Sequence, residues 1–137
     1  MTPLLLDTCA VIWTAENAQI SNEAAKAIEE AVNTGEQIYV SPMSAWEIGL
    51  LTSHGKLTIS ISPQNWFERF LSLPSVELAD LSLKILIASS FLPGKPPRDP
   101  ADRIIVATAR EMGLRLVTRD RALLAYAKEG HMDALAC

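Results

Sequence analysis

Four carboxylates, Asp7, Glu47, Asp102 and Asp120, stand where a folded chain has reason to gather them. Asp7 directly follows the apolar run Leu4-Leu5-Leu6, and Asp120 comes just past Leu116-Val117. Both runs read as buried strands, so two carboxylates fall at strand C-terminal ends, where open α/β sheets carry their functional crevices. Either is equally suited to cap the helix that follows it. Asp102 lies three residues before Ile105 and seven before Ala109, and so shares their face of a nearly all-apolar helix. Asp99 before Pro100 reads as the N-cap of that helix, which leaves Asp102 at its third position, also a capping-box position. Glu47 falls mid-helix, four residues after Met43 and three to four before Leu50 and Leu51, and is expected to point with them. Either the position lies at the edge of the buried face, or a buried carboxylate there calls for a partner charge, whether Lys56, an arginine or a metal ion.

Taken together, the four suggest a site for a hard divalent cation. Magnesium takes a few carboxylate oxygens, keeps several waters and is often completed by substrate phosphate. It would also relieve the repulsion among clustered carboxylates. Competing chemistries lack their residues. His54 and His131 fall in loops without companions at zinc spacing, and no G-x-S-x-G, P-loop or G-x-G-x-x-G occurs. Cys9 follows Asp7 closely but has no histidine nearby in sequence, and reads as a small buried side chain. Two cysteines, Cys9 and Cys137, do not make a disulfide framework.

The elements that would position these groups alternate. Strands are predicted at Pro3 to Leu6, Gln37 to Val40, Val76 to Leu78, Leu114 to Val117 and Met132 to Ala136. Helices are predicted at Ser21 to Thr34 with Ser21 as N-cap and Gly35 as stop, and from Ser41-Pro42 with serine at the cap. Further helices follow at Pro63 to Leu71, Ser82 to Ser89, Pro100 to Met112 and Asp120 to Lys128, with Gly55 to Pro63 a loop or hairpin-like excursion. The breaker-rich segment 93–100, Pro-Gly-Lys-Pro-Pro-Arg-Asp-Pro, reads as an ordered active-site loop. Such alternation implies an α/β fold, a parallel sheet covered on both faces.

The 137 residues suit one domain, 1–137, and 49% apolar with 20% charged residues excludes a disordered chain. No signal peptide or run of about 18 apolar residues is visible, so no membrane span is expected and the cytoplasm is the default. The net charge of −4 hides an asymmetry. Residues 1–94 hold 4 Lys/Arg against 10 Asp/Glu, and residues 95–137 hold 8 against 6. Local charge governs polyanion binding, and the basic density lies around Lys95, Arg98, Arg103, Arg110, Arg115, Arg119 and Arg121. A solvated helix face would explain any single one of these equally well.

At this point the chain resembles the PIN-domain ribonucleases, and among them the VapC-type toxins of toxin–antitoxin pairs. The resemblance runs the length of the chain and rests on pieces whose order and spacing are specific. These are Leu4-Leu5-Leu6-Asp7-Thr8, Val40-Ser41, Ser44-Ala45-Trp46-Glu47-Ile48, Gly55-Lys56-Leu57, Asp99-Pro100-Ala101-Asp102-Arg103 and Leu116-Val117-Thr118-Arg119-Asp120. It implies a three-layer α/β/α fold with about five parallel strands, and Mg²⁺ or Mn²⁺ held mainly by Asp7 and Asp102. Glu47 and Asp120 match the remaining acidic positions, Thr118 a hydroxyl near the metal, and Ser44 a polar neighbour. The implied activity is hydrolysis of RNA by metal-activated water, with Arg103, Arg119 or Arg121 pairing flanking phosphates. Implied partners are a cognate antitoxin and a second copy of the chain. Two departures stand out. Cys9 takes the place of a frequent histidine, and Ala101 that of a bulky aromatic whose loss is expected to alter loop packing over the site.

Overall fold

Apolar runs and helix caps alternate along the chain, and the elements follow them. The computed structural model describes residues 2–16 and 20–137. Strand β1 (Leu4–Leu6) leads into helices α1 (Thr8–Ala15) and α2 (Asn22–Thr34), then β2 (Ile38–Val40), α3 (Pro42–Ser53) and α4 (Pro63–Leu71). Next come β3 (Val76–Leu78), α5 (Leu83–Ala88), α6 (Pro100–Met112), β4 (Arg115–Thr118), α7 (Arg121–Lys128) and β5 (Asp133–Ala136). The predicted caps are in place. Ser21 accepts from the Ala24 amide, Ser41 from Met43 and Asp99 from Asp102, while Gly35 closes α2 with a left-handed φ of 74°.

All four strand pairings are parallel, in the order β3-β2-β1-β4-β5. The pleat sends alternate side chains of β1 to opposite faces. Leu4 and Leu6 join Ala10, Val11, Ala24, Ala31, Phe67 and Phe70 in one core, from α1, α2 and α4. Leu5 and Leu116 join Ile105, Val106, Ala109, Leu123 and Tyr126 of α6 and α7 in the other. Helices therefore cover both faces, as a buried parallel sheet requires. The result is the expected three-layer α/β/α arrangement.

The order has one consequence for function. The chain builds β1, β2 and β3 outward on one side, then returns to lay β4 on the other edge of β1. The β1/β4 boundary is thus the point where strand order reverses, and the crevice beyond its C-terminal ends is where such sheets bind ligands. Asp7 continues the ladder there, its amide donating to the Val117 carbonyl at 3.0 Å.

On α2 the buried face is Ala24 and Ala31 with Ile28 partly covered, while Ala25 and Val32 are exposed. One expectation about side-chain direction is corrected. In α3 the core side is Ser44 and Ile48, and Leu50 turns outward instead of pointing with Glu47. Segment 93–100 is held in place by side chains of α6 and α7. Arg103 donates to the Ser89 and Pro97 carbonyls at 3.0 and 3.1 Å, and the Tyr126 hydroxyl donates to the Pro93 carbonyl at 2.6 Å. Gly94, at φ 66°, lies so close to the His131 imidazole that any Cβ there would collide with it.

Leu5 is fully buried on the central strand between α6 and α7. Leu5→Ala should cost about 2–5 kcal/mol, read as a lowered urea midpoint at unchanged slope.

Candidate active site

At the carboxyl ends of β1 and β4 lies an open cavity of about 330 Å³. Its wall takes Asp7, Thr8, Cys9 and Ile12 from the start of α1, Glu47 and Leu51 from α3, Asp102 from α6, and Arg119 and Asp120 from the turn after β4. All four predicted carboxylates therefore meet, drawn from four parts of the sequence. Glu47 and Leu51, one turn apart, share the inward face of α3.

Asp7 is the most enclosed of them. It is 7% exposed, and its Oδ1 accepts the Thr8 amide at 2.9 Å, capping α1. Its Oδ2 accepts the Thr118 hydroxyl at 2.7 Å. Thr118 in turn accepts the Asp120 amide at 3.0 Å, so one buried hydroxyl fixes both acidic segments. Burial raises the Asp7 pKa; the Thr118 and Thr8 bonds oppose the rise, and Asp120 adds to it.

Glu47 is met by a hydroxyl, and among the described residues no ion pair joins it to Lys56. Thr8 Oγ1 donates to Glu47 Oε1 at 2.8 Å and lies 3.0 Å from Ser44 Oγ. Thr8 has a single hydroxyl proton, and giving it to the carboxylate leaves Ser44 as the donor to Thr8. The relay Ser44–Thr8–Glu47 explains why a buried serine sits one turn before the glutamate. Burial first raises the Glu47 pKa, with Asp7 and Asp99 adding to it against the Thr8 bond.

Asp102 carries the strongest signature. Its carboxyl is pushed up to about 7, by burial first and then by Asp99, Asp7, Asp120 and Glu47 in that order. Each charge that raises it is another carboxylate. Asp120 reconciles its two readings: Oδ1 accepts the Ala122 and Leu123 amides, at 2.8 and 3.2 Å, as the cap of α7, and the residue still borders the cavity. Asp99 is the cap of α6 that the sequence predicts, and its charge also reaches Asp102 and Glu47.

Other expectations change. Cys9 is not core: it lines the wall, with Sγ 3.8 Å from Asp7 Oδ2. Burial, and then Asp7, push its thiol up to about 12, which keeps it protonated and unsuited as a nucleophile. The basic density of residues 95–137 does not gather at the cavity. Arg115 begins β4 at the far end of the sheet and pairs with Asp133 at 3.5 Å, and Arg110 bonds the His131 carbonyl. Arg103 is a strut for the 89–97 loop. Arg119 lies on the wall itself, and Arg121 is exposed at the first position of α7. Ala101 is buried at the start of α6. Thr8, the hinge of the relay, was not singled out as a site residue; its hydroxyl directly after Asp7 is the signal that could have found it.

The oxygen-rich donor set fits a hard cation, and a positive ion is what five mutually repelling carboxylates lack. Among the described residues, no three His, Cys, Asp or Glu side chains stand close enough to hold a metal by themselves. That suits an ion that binds through one or two carboxylates and keeps its waters.

A parallel sheet with an acidic cleft at its switch point defines a class, and the chain belongs to it: residues 4–129 match the PIN domain family. It is 34% identical to Ribonuclease VapC22 of Mycobacterium tuberculosis over 127 residues, 92% of this chain and 93% of that protein. Among solved structures it shares its fold with VapBC2 of Rickettsia felis bound to a promoter DNA fragment, at TM-score 0.68 and 16% identity over 98% of both chains. DNA-bound VapBC of Salmonella typhimurium matches at TM-score 0.65 and 19% identity over 99% of this chain and 98% of that one.

Because the folded protein binds protons to Asp102 more tightly than the unfolded chain does, its metal-free stability should fall as pH rises from about 4 to about 7. Asp7 and Glu47 shift in the same sense. In EDTA the melting temperature should be lower at pH 8 than at pH 5, and Asp102→Asn should shrink that difference. A wild-type melting temperature that rises over this interval would contradict the assignment.

Proposed function

We propose that this chain is a Mg²⁺-dependent endoribonuclease, the toxin of a toxin–antitoxin pair. The observation that carries the reading is the convergence of Asp7, Glu47, Asp102 and Asp120 on one cavity, with Asp102 pushed up to about 7 by burial first and then by its neighbours' charge. Its likeness to a ribonuclease over 92% of the chain supports RNA as substrate. Solved VapBC complexes of the same fold support an antitoxin partner. The protein works in the cytoplasm as a homodimer; among the described residues no helix is long and apolar enough to cross a membrane.

In this mechanism Asp7 and Asp102 would hold Mg²⁺, or Mn²⁺ in its place. When bound, the ion supplies Lewis acidity toward the phosphate and lowers the pKa of water. The protein's own groups set the geometry. Thr118 holds Oδ2 of Asp7 and, through the Asp120 amide, keeps the two acidic segments in register. The Ser44–Thr8–Glu47 relay fixes one oxygen of Glu47 and leaves the other to orient water. Asp120 spends Oδ1 on the α7 cap, so its second oxygen serves the same purpose. Arg119 and Arg121 meet phosphates of the strand outside the cavity.

Asp7→Asn should lower Mg²⁺-dependent cleavage of single-stranded RNA by about 10²-fold or more, with the circular dichroism spectrum unchanged. Thr118→Val, which leaves every carboxylate in place, should weaken Mg²⁺ affinity about 10–100-fold in a calorimetric titration. Undiminished cleavage by Asp7→Asn would sink the assignment. Expression should arrest growth, and co-expression of a small neighbouring gene should relieve it; growth unaffected by an active nuclease would remove the toxin reading and leave an RNA-processing enzyme.

A further inference from the structure

The Arg119 guanidinium carbon lies 3.3 Å from the centroid of the Trp13 ring, and its Nε donates to the Cys137 carbonyl at 3.0 Å. Its backbone has no freedom to choose. Thr118 on one side ends β4 and is fully buried, and Asp120 on the other caps α7. Only the side chain's direction is left to set, beside four carboxylates that would attract it. The Trp13 face and the Cys137 carbonyl both act on that direction. Meanwhile the charges that raise Asp7, Glu47 and Asp102 are those of other carboxylates.

A phosphodiester strand approaching so acidic a cavity needs a cation at the rim. Three arginines that the sequence offers are held elsewhere: Arg103 by the loop, Arg110 by the His131 carbonyl and Arg115 by Asp133. A cation–π stack engages the flat face of a guanidinium, whereas bonds to phosphate run from its edge, so the two are compatible. We propose that Trp13 is a positioning residue for substrate: it holds Arg119 at the cavity rim, where the guanidinium takes an RNA phosphate beside the one being cut. This rests on the ribonuclease reading above.

The test is binding of a fluorescein-labelled single-stranded RNA oligonucleotide, followed by anisotropy across a salt series in the non-cleaving Asp7→Asn background. Losing one phosphate contact should flatten the plot of log affinity against log salt by about 0.7. Arg119→Gln should show that loss, Trp13→Leu should show it too, and the double variant should be no flatter than either. Trp13→Phe, which keeps a ring face, should restore the slope. A merely structural role for Trp13 would lower the bound fraction or the melting temperature and leave the slope alone. Trp13→Leu with an unchanged slope beside a flattened Arg119→Gln would overturn the proposal, as would an unchanged slope in both. Cleavage of the same oligonucleotide by wild-type protein in Mg²⁺ is scored separately, so a failed nuclease reading is told apart from a failed role for Trp13.

Discussion

Like charges crowded into a half-buried cleft are the constraint around which this structure is organised. Burial raises the pKa of Asp7, Glu47 and Asp102, and the charges of neighbouring carboxylates, Asp99 and Asp120 among them, raise it further. Left alone, such groups would protonate or move apart. Four of the five are prevented from moving by something other than the site. Asp7 is locked to the end of the central strand, Asp120 and Asp99 to helix caps, and Glu47 to a helix anchored by buried Ser44 and Ile48. The cleft is therefore acidic because the fold holds it so.

The caps do more than hold. Asp7, Asp99 and Asp120 begin α1, α6 and α7, so three helix N-termini face the acidic region. Their unpaired amides and positive dipole ends partly offset the carboxylates' repulsion. Structural and chemical roles then cease to compete. Asp7 gives Oδ1 to the α1 amide and Oδ2 to Thr118, and Asp120 places both cap bonds on Oδ1. Residues that a sequence leaves undecided between cap and site occupy both positions here, because a carboxylate has two oxygens. Hydroxyls complete the arrangement, since Thr8, Ser44 and Thr118 orient negative groups without neutralising them.

Arginine placement follows a different logic. Residues 95–137 carry 8 Lys/Arg, yet the topology scatters them. Arg115 and Thr118 belong to the same four-residue strand and point to opposite ends of the sheet's chemistry, one toward Asp133 and one toward Asp7. Charge density along a chain predicts a patch only when the fold leaves neighbours together in space. A strand of about 3.3 Å per residue separates its ends by some 10 Å, enough to move an arginine out of reach.

Much of the local structure was legible in the sequence. Apolar runs marked the five strands, and Ser21, Ser41, Ser82, Asp99 and Asp120 marked helix starts, since such signals act within one turn of their own residue. The four carboxylates were legible too, each from its position on its own element. What the sequence did not contain was which strand lies beside which. Only the order β3-β2-β1-β4-β5 sets Asp7 against Thr118, 111 residues away, and turns four separate acidic positions into one cavity. The same packing chose Arg119 over Arg103 and Arg115 for the cavity wall, and made Cys9 part of that wall instead of core. Side-chain direction on α3 belonged there as well, because helical period alone assigns a face but not which neighbour covers it. Periodicity is a property of a segment, and a site of repelling charges is a property of the contacts that force the segments together.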